Sequence, residues 1–281
     1  MESIFVLLIL WVMIICYLAW VISNRSYSNP ANMLKSDSGT DVSLEELFSY
    51  RLSGNLALIE KDDFNQLRSS LSMKRIREVL FQYWQIKGPE DFSVSLQQAF
   101  FQLGDTSAIE QQAFDAWNTG AACNTANYIR LFDVCKFLSV DAGLINASRI
   151  GSRQLDMTAW DIERTAYLVR LGYASHYIQR DGAAQSLRRL STAAKARYDS
   201  WEDFSISALI GMGIRSDVEI SQANVWHSYA RTHLALISSA GAPAEQIADW
   251  KFAAAAPRTW SQVRSIVSVD AKASVAGTFS D

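Results

Sequence analysis

The stretch IFVLLILWVMIICYLAWVI, Ile4 to Ile22, is 19 residues long and contains no charged side chain. As a helix it would reach roughly 28 Å, which is close to the thickness of the hydrocarbon core of a bilayer. Trp20 lies near one end, where an amphipathic ring suits the headgroup boundary. We therefore predict that residues 1–23 form a single transmembrane anchor, which contacts the lipid bilayer through Ile4–Ile22.

A cleaved secretory signal would need basic leading residues, a shorter apolar stretch and small residues at a cleavage site. The chain begins Met-Glu-Ser without Lys or Arg, and the segment SNRSYSNP after the span offers no such site, so we favour a retained anchor. Arg25 and Lys35 follow the span and no basic residue precedes it. The positive-inside rule then predicts a cytoplasmic domain, and a periplasmic domain stays open as the alternative.

The rest of the chain divides by composition into three parts. Residues 24–42 are polar and are predicted to form a flexible tether, residues 43–267 a folded domain, and residues 268–281, which lack periodicity, a flexible tail. Hydrophobic residues make up 49% of the chain and charged residues 20%, which allows a sizeable core. The net charge of -3 argues against a nucleic-acid-binding protein, because such proteins usually carry a basic excess.

Helix-start patterns recur along the domain. The [ST]-x-x-[DE] capping box occurs at Ser43–Glu46, Ser107–Glu110, Thr158–Asp161 and Ser200–Asp203. Pro89 stands where a first helical residue is favoured, and no segment shows the sustained alternation of a strand. We therefore predict an all-α fold, in which a single N-terminal transmembrane helix is followed by a compact multi-helix domain.

The segment from Met157 to Tyr173, MTAWDIERTAYLVRLGY, is apolar on two opposite sides when it is drawn as a helix. One side carries Ile162, Ala166, Val169 and Tyr173, and the other carries Trp160, Tyr167, Leu171 and Ile178. We therefore predict that this is the central helix of the domain. Arg164 falls among the apolar residues of the second side, where an unpaired guanidinium would be costly. We predict that an acid of the same chain neutralises it, namely Asp161, Glu202 or Asp203.

The same charges could instead form a catalytic site. Asp161, Arg164 and Glu202 would then converge in a polar pocket, in which shifted pKa values support catalysis. The aromatic residues that would line this pocket are Trp160, Tyr173 and Trp201. Structural ion networks show the same features, and Glu202 and Asp203 are adjacent in sequence, as helix-start acids are. We therefore favour the structural interpretation.

Other chemistry leaves no signature in the sequence. His227 and His233 are six residues apart, which is not the spacing of an HExxH zinc site. His176 falls near the apolar side of its helix, and the three cysteines form no CxxC motif. No GxSxG motif occurs either. We predict neither a metal site nor a cofactor.

The segment Ala159–Gly213 resembles the core of a bacterial family called domain of unknown function 1266 (DUF1266). The positions that match its pattern are Trp160, Asp161, Arg164, Gly172, Tyr173, Ser200, Trp201, Glu202 and Gly211. Upstream, Trp84 and Ile86 are similar to the Trp-x-Ile segment of the family, with Gln85 where the pattern leads us to expect Gly. The resemblance covers about residues 76–215. It implies an α-helical bacterial domain, and the family itself supplies no biochemical role.

Three functions are compatible with these features. The anchor, the helical body and the lack of a recognised catalytic set favour a protein of the bacterial inner membrane that acts as a protein-interaction or scaffold module. Its partner would be another protein, and we favour a role other than catalysis. The alternatives are a membrane-proximal hydrolase that uses Asp161, Arg164 and Glu202, and an immunity or effector-associated protein.

Overall fold

The computed structural model of the protein describes residues 42–119 and 155–215 and, beyond these, Thr232, His233 and Leu236. The two described ranges contain eight helices and no strand, which confirms the predicted all-α fold class for this part of the chain. The helices are α1 (Leu44–Arg51), α2 (Gly54–Glu60), α3 (Met73–Trp84), α4 (Pro89–Phe101), α5 (Ala108–Thr119), α6 (Thr158–Ala174), α7 (Arg180–Arg197) and α8 (Trp201–Arg215).

The predicted anchor, residues 1–23, lies outside the described residues, as do the tail 268–281 and all of the tether 24–42 except Val42. Among the helices that the structure describes, none is both long enough and apolar enough to cross a bilayer. The anchor therefore stays a prediction from the sequence of Ile4–Ile22.

Three of the four predicted capping boxes place a hydroxyl at the start of a helix. The Ser43 hydroxyl accepts a hydrogen bond from the backbone N–H of Glu46 at 3.3 Å, and the Glu46 carboxylate accepts from the backbone N–H of Ser43 at 3.2 Å. The same reciprocal bonds join Ser107 and Glu110, and the Ser200 hydroxyl accepts from the backbone N–H of Asp203. Each cap satisfies an N–H that the first helical turn leaves without a partner.

The fourth predicted box, Thr158–Asp161, is wrong. Thr158 is already the first residue of α6, and its backbone N–H donates to the Asp156 carboxylate at 2.9 Å. The Asp161 carboxylate instead accepts from the backbone N–H of Gly104 at 2.9 Å. An acid two residues before the helix therefore replaces the capping hydroxyl, because a carboxylate oxygen satisfies an unpaired N–H equally well.

Three helices end at a residue other than glycine in the left-handed conformation. Lys61 after α2, Gln85 after α3 and His176 after α6 have φ angles of 59°, 59° and 63°. Residues other than glycine rarely adopt this backbone conformation, because their Cβ atom then approaches the following carbonyl oxygen. Gln85 stands where the DUF1266 pattern led us to expect Gly, and its conformation supplies the physical reason for that expectation.

Helix α6 is the centre of the fold, as predicted. It contacts α1, α2, α3, α4, α7 and α8. One side, with Tyr167 and Leu171, belongs to a first core cluster that includes residues of α2, α3 and α8. The other side, with Ile162 and Val169, belongs to a second core cluster that includes residues of α1 and α7. All four side chains are fully buried, so α6 has an apolar partner on both sides.

Two glycines allow neighbouring helices to approach closely at α6. A Cβ atom on Gly172 would overlap the ring of Phe92 from α4. A Cβ atom on Gly211 of α8 would lie 2.5 Å from the Cβ of Trp160. Real Cβ atoms do not approach so closely, so the packing of α8 against α6 depends on the absence of a side chain at Gly211.

Candidate functional site

The structure brings together only part of the predicted site. Trp160, Asp161, Arg164 and Tyr173 lie on α6, and Trp201, Glu202 and Asp203 lie on α8. Trp160 packs against the first core cluster and Tyr173 against the second. Trp201 is 3% exposed and stacks on Phe204 with ring centroids 5.5 Å apart. The three aromatic side chains therefore contribute to two different parts of the core and do not line a common pocket.

The acids of α8 do not join Arg164. Glu202 and Asp203 lie in the first turn of α8, where the Ser200 hydroxyl donates to the Asp203 carboxylate at 2.7 Å. None of the ion pairs between described residues links either acid to Arg164. This agrees with the prediction that Asp203 is a helix-start residue.

Arg164 is half-buried and has a carbonyl and a ring as its neighbours in place of the predicted acid. Its Nη2 donates a hydrogen bond to the backbone carbonyl of Tyr83 at 2.6 Å, and its guanidinium lies over the Trp84 ring, 5.4 Å from the centroid. No described carboxylate is within ion-pair distance, so the predicted ion pair with Asp161 is not formed. Burial lowers the pKa of Arg164 and the nearby Asp161 opposes this, and the side chain remains charged.

Asp161 lies one turn before Arg164 and has an unusual acidity. Burial raises the pKa of its carboxyl to about 7, although the Gly104 N–H and the charges of Arg215 and Arg164 favour ionisation. Arg215 is itself paired with Glu110 at 2.9 Å. Near neutral pH this carboxyl is only partly ionised, so it adds less negative charge to the surface around Arg164 than an ordinary aspartate would.

The end of α3 that contacts Arg164 also carries exposed aromatic side chains. Phe81 is 45% exposed and Tyr83 37% exposed, and the rings of Tyr83 and Trp84 meet edge to face at 5.6 Å. The Nζ of Lys87 lies over the Phe81 ring, 6.0 Å from its centroid. We call Phe81, Tyr83, Trp84 and Arg164 the aromatic–arginine surface. Trp84 was conspicuous in the sequence, but nothing there indicated that α3 lies against α6.

The structural role predicted for Arg164 belongs to Arg170, one and a half turns further along α6. Its side chain is fully buried, and Nη2 lies 3.5 Å from the equally buried carboxylate of Asp62. The guanidinium also donates to the Ser53 hydroxyl at 2.9 Å, to the Gln66 carbonyl at 3.1 Å and to the Asp63 carbonyl. The sequence analysis missed this residue, since the acid that neutralises it is more than a hundred positions away.

A second buried polar group centres on Glu163, which is 1% exposed. One carboxylate oxygen accepts from the Leu56 backbone N–H at 2.9 Å and the other from the Asn55 side chain at 3.0 Å. The Asn55 amide also donates to the Ser205 hydroxyl at 3.2 Å. Thr232 donates to Asn55 at 3.0 Å, and Nδ1 of His233 lies 2.8 Å from the Ser205 hydroxyl. We call Asn55, Glu163, Ser205, Thr232 and His233 the buried polar network.

The buried polar network makes the stability of the protein depend on pH. Burial raises the pKa of Glu163 from its ordinary 4.5 to about 7, although the hydrogen bonds from Asn55 and Leu56 favour the charged form. The folded state therefore holds this proton more tightly than the unfolded state, and stability falls as pH rises between these values. We expect the free energy of unfolding to fall by about 3 kcal/mol over this interval because of Glu163.

Glu163→Gln is expected to remove the part of this pH dependence that comes from Glu163. Urea denaturation at several pH values measures the free energy of unfolding for both proteins. The pKa of Asp161 is also raised, so Asp161 contributes to the slope of unfolding free energy against pH in both proteins. Glu90→Gln changes an exposed acid at the start of α4 and is the matched control, which should keep the wild-type slope. Equal slopes for Glu163→Gln and the wild type would contradict the prediction.

The sequence profile of the family described as "Protein of unknown function (DUF1266)" matches residues 79–251. The match covers more than half of the 281 residues. The chain belongs to the DUF1266 family. Comparison with curated proteins and with solved structures finds no match.

The DUF1266 match is longer than the resemblance seen in the sequence, which ended near residue 215. The added part includes Thr232 and His233, which reach the buried polar network. Asn55, in contrast, precedes the matched region, as α1 and α2 do. The network of this DUF1266 protein therefore joins the family core to a helix that lies before it.

A third buried polar group in this DUF1266 protein, centred on Asp156, caps the start of α6. Asp156 is 3% exposed, and its carboxylate accepts from the Thr158 N–H at 2.9 Å and also from Arg197 and the Tyr198 hydroxyl. Burial raises the pKa of Tyr198 well above its ordinary value, and the neighbouring Asp156 acts in the same direction. These bonds hold the end of α7 against the start of α6.

The described histidines occupy positions with structural roles. His176 is exposed at the left-handed end of α6, and His233 contacts Ser205 in the buried polar network. Among the residues that the structure describes, no group of three or more His, Cys, Asp or Glu side chains could hold a metal ion.

Proposed function

We propose that this DUF1266 protein is a membrane-anchored interaction module that binds a protein partner through the aromatic–arginine surface. The observation that carries this proposal is the placement of Arg164 over Trp84, at the end of α3 that also carries the exposed side chains of Phe81 and Tyr83. Trp, Tyr and Arg are the residue types enriched at the energetic centres of protein interfaces, because they bury a large area and hydrogen-bond at its edge.

The anchor Ile4–Ile22 would hold this surface at the bacterial inner membrane, with the helical domain in the cytoplasm. The uncharged length of the stretch and the basic residues that follow it support this arrangement. A tether of about twenty polar residues would allow the domain to search a small volume near the bilayer. A partner that is itself at the membrane would then meet the domain at a high effective concentration.

A photo-crosslinking amino acid at position 81 of the full-length chain tests the proposal. In cells that express this variant, illumination is expected to give one discrete crosslinked product, because position 81 would lie inside the interface. Tyr83→Ala should weaken this product without unfolding the domain, as checked by circular dichroism. The matched control carries the same amino acid at Thr192, which is exposed on α7. The proposal fails if position 81 gives no product or the same products as position 192.

Hydrolysis is the second candidate function, and one observation favours it. Burial places the pKa of Asp161 near 7, which suits a group that exchanges a proton with a substrate at neutral pH. Arg164 lies one turn away and could hold an anionic substrate. We rank this candidate second, because Glu202 does not join the pair and the exposed rings of α3 have no part in it.

A further inference from the structure

Arg164 has no carboxylate within ion-pair distance, unlike four other arginines of the described ranges. Arg75, Arg170, Arg197 and Arg215 each form an ion pair with a carboxylate. Arg164 donates one hydrogen bond to the Tyr83 carbonyl, and its remaining N–H donors have no partner among the described residues. The half-buried guanidinium therefore presents a fixed positive charge with unused donors at the surface.

The surroundings of Arg164 prepare it to bind an anion. The Tyr83 carbonyl and the Trp84 ring fix the position of the guanidinium, so that little side-chain freedom is lost when a ligand binds. An ordinary surface arginine must give up both this freedom and part of its hydration, which is why exposed ion pairs contribute little. Partial burial has already removed part of the hydration of Arg164 in the unliganded domain.

The charge around Arg164 matches a single carboxylate better than a phosphate group. A guanidinium offers a planar pair of donors that fits the two oxygens of a carboxylate. A phosphate dianion would need a second cation at Arg164, whereas the nearby Arg215 is already paired with Glu110 and Lys87 lies over the Phe81 ring. Asp161, one turn away, would also repel a dianion more strongly than a monoanion. Phe81, one turn before Trp84 on α3 and 45% exposed, offers a contact for an apolar side chain.

We propose that Arg164 and Trp84 form the binding site for an acidic side chain, Asp or Glu, of the protein partner, with an adjacent apolar side chain of the partner against Phe81. This inference rests on the proposed function, since it names the chemistry that the aromatic–arginine surface recognises. The ion pair with Arg164 would supply specificity, and the rings of α3 would supply most of the buried apolar area.

Selection of random peptides displayed on phage against the full-length chain in phosphatidylcholine nanodiscs tests the inference. The peptides that bind are expected to share an acidic residue beside an apolar one. Replacing this acid by its amide should weaken binding to the wild type about tenfold, which is the effect of one charge-assisted bond. The same replacement should have no effect on binding to Arg164→Met, whereas Arg188→Met, which removes an exposed charge on α7, should behave as the wild type does.

The possible results separate this inference from the function on which it rests. Selected peptides could lose affinity for the Phe81→Ala variant, while replacement of their acid weakens binding to the wild type and to Arg164→Met by the same factor. This result would overturn the inference and leave the proposed interaction surface intact. Tighter binding of inorganic phosphate or of phosphatidylglycerol vesicles at Arg164 would also overturn it, in favour of a phosphate ligand. A failure to select any peptide, together with no crosslink from position 81, would overturn the proposed function itself.

Discussion

Arg170→Met is expected to lower the free energy of unfolding by about 3–5 kcal/mol, because it leaves the buried carboxylate of Asp62 without a counter-charge. The change also removes the donors to the Ser53 hydroxyl and to backbone carbonyls of the segment that follows α2. Since a domain of ordinary size is stable by only about 5–15 kcal/mol, this is a large fraction of the total. Urea denaturation of the full-length chain in detergent, followed by circular dichroism, measures the loss.

Arg164→Met is the matched control, because it is the same substitution on the same helix. Arg164 makes one hydrogen bond and one ring contact at the surface, so we expect a loss of about 1 kcal/mol or less. If Arg170→Met does not fold, Asp62→Asn provides a milder test of the same ion pair. Losses of equal size for the Arg164 and Arg170 variants would contradict the prediction that burial of the Arg170–Asp62 ion pair makes its removal costly.

Gly211→Ala is expected to destabilise the protein by about 2 kcal/mol, because its new Cβ would meet the Cβ of Trp160 at 2.5 Å. The Cβ of Trp160 is tied to the backbone of α6, so only a displacement of α8 relative to α6 can relieve the overlap. Overpacking of this kind costs up to about 3 kcal/mol, and the better helix propensity of Ala returns about 1 kcal/mol. Thermal unfolding and urea denaturation both report the net loss.

Gly182→Ala separates packing from helix propensity. Gly182 lies in the first turn of α7, and a Cβ there would meet only the flexible side chain of Ile178, at 3.2 Å. The substitution should leave stability unchanged or raise it by up to about 1 kcal/mol. If Gly211→Ala were as stable as Gly182→Ala, the close approach of α8 to Trp160 would not be a constraint on the fold.

Much of the helical architecture could be predicted, because its signals are local. The Ser43–Glu46 and Ser107–Glu110 boxes depend on residues three positions apart, and the two apolar sides of α6 follow from helical periodicity alone. The prediction of a capping box at Thr158–Asp161 was wrong, although the sequence fits the pattern. Its acid found a backbone N–H at Gly104, more than fifty residues earlier, which no local pattern records.

The candidate site could be predicted only in part, since it depends on which helices meet. Arg164 and Arg170 both stand among apolar residues of α6, and the sequence offers no means of ranking their burial. Arg170 is buried because the segment after α2 brings Asp62 to it, whereas Arg164 meets the end of α3 and stays half-exposed. The missed role of Glu163 has the same origin, because Asn55 and Ser205 lie far from it along the chain.

Local patterns in the chain were enough to predict that the domain is helical, where several of its helices begin, that α6 is central and that the chain resembles the DUF1266 family. Which arginine is neutralised inside the protein, and which one faces outward beside Trp84, became visible only in the folded structure. The physical reason is that helix formation follows from bonds within a few residues, whereas the burial and pairing of a charge depend on distant segments that meet only in the folded state.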